Sequence, residues 1–128
     1  MMESVYLSGP ISSPIPGLTR GELKDRFWHL RKWLKRNYGN WSVINPVDTK
    51  PECDGKCLAR GGTDVDNEHT WECWLKWDLI EMLKCDSICL LPGWEQSRGA
   101  LLEREVAQRV GMNVYFALLD DEEGWVIA

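Results

Sequence analysis

The chain has 128 residues and weighs 14.8 kDa, with 44% hydrophobic and 27% charged residues, which fits one globular domain with a real core and excludes wholesale disorder. Fifteen basic against twenty acidic residues give a net charge of −5. That balance argues against a nucleic-acid polymer as partner, but it leaves room for a small anion held by local donors.

No apolar run approaches the about 18 residues a membrane helix needs, and MMESVYLSGP lacks the basic and apolar regions of a secretory leader. The expected location is therefore the cytoplasm, with no membrane partner. Five cysteines is an odd count, and a reducing compartment disfavours a disulfide framework. The eight tryptophans, against two phenylalanines and three tyrosines, read as core and rim filler.

Residues 3–8 (ESVYLS) read as a buried strand closed by Gly9-Pro10. Leu23, Phe27, Leu30 and Leu34 recur at helical spacing and predict a helix over 20–37, with Thr19 as N-cap and Gly39 as its stop. Trp41 to Asn45 predicts a second strand, ended by Pro46. Residues 48–70 carry Pro51, three glycines and many charges, and read as a loop-rich insertion. A second helix is expected at 71–84, with Trp74, Trp77, Leu79 and Leu83 among its apolar residues. A third strand is expected at 86–91, a third helix at 97–110 and a fourth strand at 112–118. Trp125-Val126-Ile127 reads as an added edge strand.

This alternation predicts an α/β fold. We expect a single flavodoxin/Rossmann-like three-layer domain over 1–128, with a four- to five-stranded mostly parallel sheet and helices on both faces. Ligands of such folds sit outside the C-terminal ends of the strands, near the switch in strand order. That rule selects the loop holding Ser8, Gly9, Pro10 and Ile11, and the stretch from Gly93 and Trp94 to Ser97, Arg98 and Gly99. The last three residues open a helix, where backbone N–H groups and an arginine fork suit an anion. Glu103 lies one to two turns into that helix and is a candidate nucleophile or base.

Cys53, Cys57, His69 and Cys73 form C-x3-C-x11-H-x3-C. Thiolates and an imidazole at this spacing suit a structural tetrahedral zinc, in the one segment with too few apolar residues to fold by itself. Two other readings stand beside it: thiols with a packed histidine, and His69 as an active-site residue. Cys85 and Cys89 read as core thiols.

The stretches YLSGPI (6–11), VINP (43–46) and DLIEMLKCDSICLLPGWEQSRGALLEREVA (78–107) together resemble the nucleoside 2-deoxyribosyltransferase superfamily, most of all its small phage and bacterial members. Members of that superfamily exchange the base of a deoxynucleoside, or hydrolyse deoxynucleoside 5′-monophosphates. The resemblance implies Glu103 as nucleophile, Asp78 as general acid or its positioning partner, and Tyr6 as the group that orients Glu103 or the sugar. It also implies a phosphate contact at Ser97, backbone-approach glycines at Gly9 and Gly99, and Asp86 among the substrate residues. Glu105 and Val106, where small residues often follow the nucleophile, depart from the pattern, as does the insertion at 48–70.

The implied function is cleavage of the N-glycosidic bond of a nucleoside 5′-monophosphate or nucleoside, with no cofactor needed for the chemistry. The implied assembly is a homodimer or larger, in the host cytoplasm if the chain is phage-encoded. The alternatives are a nucleotide-sequestering protein on the same fold, and an interaction protein built around the cysteine-rich loop.

Overall fold

A computed structural model describes residues 2–11, 15–48, 51–53, 69–120 and 124–128. Most of the 48–70 insertion, including Cys57, lies outside the described residues.

Five strands form one sheet: β1 (Glu3–Ser8), β2 (Trp41–Ile44), β3 (Ser87–Leu90), β4 (Asn113–Asp120) and β5 (Gly124–Ile127). Their order is β2-β1-β3-β4-β5. The first four pair in parallel, and β5 pairs antiparallel with β4. Among the described residues three helices connect them: α1 (Arg20–Asn37), α2 (Trp71–Leu83) and α3 (Arg98–Arg109). The expected α/β architecture is therefore the observed one, and the C-terminal tail is the expected edge strand. The strand order reverses between β1 and β3, so the crevice above their C-terminal ends is the place where such folds receive ligands.

Side-chain alternation along the strands assigns the two faces. Val5 and Leu7 of β1, Cys89 of β3 and Ala117 of β4 face α1, where Phe27, Leu30 and Leu34 are buried against them. Tyr6, Ile88 and Leu90 point the other way, onto Met82 of α2 and Ala100 and Ala107 of α3. The sheet is thus covered on both sides.

Helix α1 begins where the sequence predicts. Thr19 Oγ1 accepts from the Glu22 backbone N–H at 3.1 Å, and the Glu22 carboxylate accepts from the Thr19 N–H at 3.0 Å. This reciprocal box satisfies two of the donors a helix start otherwise leaves open. Its stripe of Leu23, Phe27, Leu30 and Leu34 is fully inside. Helix α2 is less legible. It is apolar on nearly every side, and only Met82 is fully buried, while Ile80 and Leu83 remain exposed.

Two loop residues read as ligand contacts are held in place by packing. A Cβ at Gly9 would lie 2.8 Å from Leu91 Cβ, so Gly9 lets the chain after β1 pass close to the chain after β3. Gly93 has φ of 86° and abuts Pro10 and Ile15, and Pro10 is itself fully buried. Gly9→Ala should therefore cost about 1–3 kcal/mol through overpacking. A lower midpoint in urea with an unchanged slope would show this, and an unchanged midpoint would refute it.

Asp86 is a clear correction. It precedes β3 and so lies at the N-terminal edge of the sheet, opposite the switch-point crevice. Its carboxylate accepts from the Ser4 N–H at 3.0 Å and the Ser4 hydroxyl at 3.1 Å. It clamps β1 to β3 and is not placed to touch a substrate at the other end.

Candidate active site

The site begins with the alternation of β1. Tyr6 and Ser8 share the face that α2 and α3 cover, and both are buried. Across from them, Ser97 caps α3 by accepting from the Ala100 N–H at 3.2 Å. The buried stripe of α3 is Ala100, Glu103 and Ala107. The two alanines keep the helix close to the sheet, and the longer Glu103 side chain between them reaches the strand end. There the Ser8 hydroxyl donates to Glu103 Oε1 at 2.6 Å.

Glu103 is 6% exposed. Burial raises its pKa to about 7, against the lowering effect of hydrogen bonding from Ser8 and then from the Tyr6 hydroxyl. Asp78, on α2, is raised to about 8, first by burial, then by the negative charges of Glu103 and Glu81. Tyr6 is pushed well above the usual phenol range by burial and by the charges of Glu103 and Asp78. The structure thus brings Tyr6, Asp78 and Glu103 into one electrostatically coupled group.

Tyr6 Oη, Asp78 Oδ1 and Glu103 Oε2 are buried without a well-formed hydrogen bond among the described residues. Each such atom costs about 1–3 kcal/mol. A core built only for stability would not gather several of them. Two carboxyl groups that cannot both carry charge in a dry place are instead a means of keeping one protonated and one ionised.

The rest of the predicted set falls around this group. Ser97 spends one acceptor position on the helix cap. Among the described residues, a Cβ at Gly99 would meet only Ser97 Oγ, at 4.0 Å. Arg98 is exposed, with its guanidinium 4.3 Å from the centre of the Trp71 ring, bridging the starts of α2 and α3. Trp94 packs on Phe116 at 5.8 Å between ring centres and lies under Arg104. Ile11 packs against the α1-side core.

Sequence reasoning named Ser8 only as a substrate contact and missed its hold on Glu103. The available signal was its place two residues after Tyr6, on the same face of the strand. Because Ser8 donates to the ionised carboxylate, Ser8→Ala should raise the pKa of Glu103 further. The titration of the Glu103 carboxyl, followed by NMR, should then move to higher pH, and a midpoint that stays in place or moves to lower pH would contradict this role.

Cys53, His69 and Cys73 form a second cluster, in which the ligand atoms all lie within 4.8 Å of one another and could hold a metal ion. Cys57, the fourth predicted ligand, is outside the described residues. No helix among the described residues is long and apolar enough to cross a membrane.

The fold and the site define a class: an α/β domain of flavodoxin-like strand order with a buried glutamate, electrostatically coupled to a half-buried aspartate, at its switch point. Residues 3–116 match the family described as Domain of unknown function (DUF4406), and the chain belongs to that family. No curated protein and no solved structure matches the chain.

Proposed function

We propose that the protein cleaves the N-glycosidic bond of a nucleoside 5′-monophosphate or nucleoside, with Glu103 as nucleophile. The observation that carries this reading is the buried Glu103, fixed by Ser8 and coupled to Asp78 at the switch point. The resemblance of residues 78–107 to deoxyribosyltransferases supplies the reaction class.

In this reading ionised Glu103 attacks C1′ as the bond to the base breaks through an oxocarbenium-like transition state. Protonated Asp78 gives its proton to the departing base. The resulting glycosyl ester on Glu103 is released when water attacks C1′, giving hydrolysis, or when a second base does, giving transfer. Tyr6 keeps its proton and donates toward Glu103 or the sugar. The Ser97-capped start of α3 and the exposed Arg98 support binding of a 5′-phosphate there, which leans toward nucleotide hydrolysis. The reading needs no cofactor, and a zinc held by Cys53, His69 and Cys73 would serve structure.

The reading places the activity in the cytoplasm, in a homodimer or larger assembly. Exposed Ile80 and Leu83 on α2 and Leu101 and Leu102 on α3 support an assembly.

The test is chromatography of free base after incubation with ribo- and deoxyribonucleosides and their 5′-monophosphates, with and without an acceptor base. Release from at least one substrate class is expected, and a new nucleoside in the presence of acceptor identifies transfer. Nucleotide binding with no base released from any of them would replace the enzyme with a sequestering protein.

A further inference from the structure

We propose that Cys53, His69 and Cys73 bind a zinc ion in a tetrahedral site that clasps the segment after β2 to the start of α2. The inference is independent of the glycosidase reading, because it concerns different residues and is read by metal content.

The first argument is distance. His69 Nδ1 lies 3.3 Å from Cys53 Sγ and 3.8 Å from Cys73 Sγ. A tetrahedral zinc with Zn–S of about 2.3 Å and Zn–N of about 2.05 Å holds its sulfur and nitrogen ligands about 3.6 Å apart. The two observed separations straddle that value. The second argument is convergence. The three ligand atoms all lie within 4.8 Å of one another, so a single ion can reach all of them.

The third argument is preorganisation. Thr70 caps α2, its hydroxyl accepting from the Cys73 N–H at 3.2 Å and its carbonyl accepting from the Trp74 N–H at 3.1 Å. The cap fixes the backbone between His69 and Cys73 so that both donors face the same side. The imidazole is 8% exposed and meets the Trp74 ring edge-on, with 5.6 Å between centres. Its orientation is therefore set by packing before any ion arrives. Two thiolates and an imidazole select zinc over calcium or magnesium, which prefer oxygen.

The clasp has a structural consequence. Cys73 lies in the first turn of the helix that carries Trp71 and Asp78. Holding that turn to Cys53 fixes the end of α2 that meets Arg98 of α3. Zinc binding here adds directly to folding free energy, because the unfolded chain has no such site.

The full-length protein, purified without chelator, should hold about one zinc per chain by elemental analysis. Replacing the zinc with cobalt should give the strong visible absorption of tetrahedral cobalt with thiolate charge transfer. His69→Ala and Cys73→Ser should each lose most of the metal. The cobalt spectrum of the unaltered chain keeps the test decisive even where a variant folds poorly. The proposal fails if the unaltered chain takes up neither zinc nor cobalt, if its cobalt spectrum is that of an octahedral ion, or if Cys53 and Cys73 are recovered as a disulfide.

Discussion

The Glu103→Gln protein should be nearly inactive and more stable than the unaltered chain at alkaline pH. Base release should fall by about 10³-fold or more, the scale seen when a nucleophile is removed from an enzyme. Stability should move the other way. Burial raises the folded-state pKa of Glu103 to about 7, well above the about 4.3 of an unfolded glutamate. The native state therefore binds the proton more tightly than the unfolded chain does. The stability this supplies is complete below about pH 4, and it is lost as pH rises through the folded value. At pH 8 the native protein carries a penalty on the order of 3 kcal/mol from this group. Glutamine stays neutral and still offers Ser8 an acceptor, so it should lift most of the penalty. Urea midpoints at pH 5 and pH 8 test this. The unaltered chain should lose stability between them and the variant should lose less. Equal losses in the two proteins would show that Glu103 is not a strained buried acid.

The second large effect is expected at Asp78. Burial and the neighbouring Glu103 charge raise it to about 8, so near neutrality it retains the proton that a departing base requires. Asparagine cannot supply that proton, and Asp78→Asn should cost about 10²–10⁴-fold in kcat/KM. The pH profile carries the more specific signature. For the unaltered chain the rate should rise as Glu103 ionises near 7 and fall as Asp78 ionises near 8, giving a narrow bell. The two groups titrate as a pair, so the limbs belong to the pair. Removing Asp78 should abolish the falling limb and leave the rising limb near 7, because Glu103 ionises while Asp78 is still neutral. Substrates whose base departs without protonation should lose much less. A variant that keeps the bell, with only its height reduced, would exclude Asp78 as the acid.

Much of this geometry could be read before folding was considered. The stripe from Leu23 to Leu34 and the Thr19 N-cap place α1 to the residue, because both are local patterns. Ser97 marks the start of α3 by the same logic. Glu103 was legible as a candidate because its helix follows a strand at a predicted switch point. Its partnership with Ser8 was not, since the two stand 95 residues apart and meet only when β1 and α3 share one face. Gly9 shows a different limit. A glycine before a proline signals a close approach, but sequence cannot say whether the neighbour is a ligand or Leu91. Asp86 was drawn to the site by resemblance, although its place before β3 already put it at the wrong edge of a parallel sheet. Helix α2 was located but its buried face was not, because a helix apolar on nearly every side has no periodicity to read.

The most direct test of the central claim is a mass measurement on protein quenched with acid during turnover of a nucleoside 5′-monophosphate that releases base. The account predicts a sugar-phosphate adduct on the peptide containing Glu103, and neither adduct nor base release from the Glu103→Gln protein. An adduct on a different residue, or base release by the Glu103→Gln protein at the unaltered rate, would contradict it.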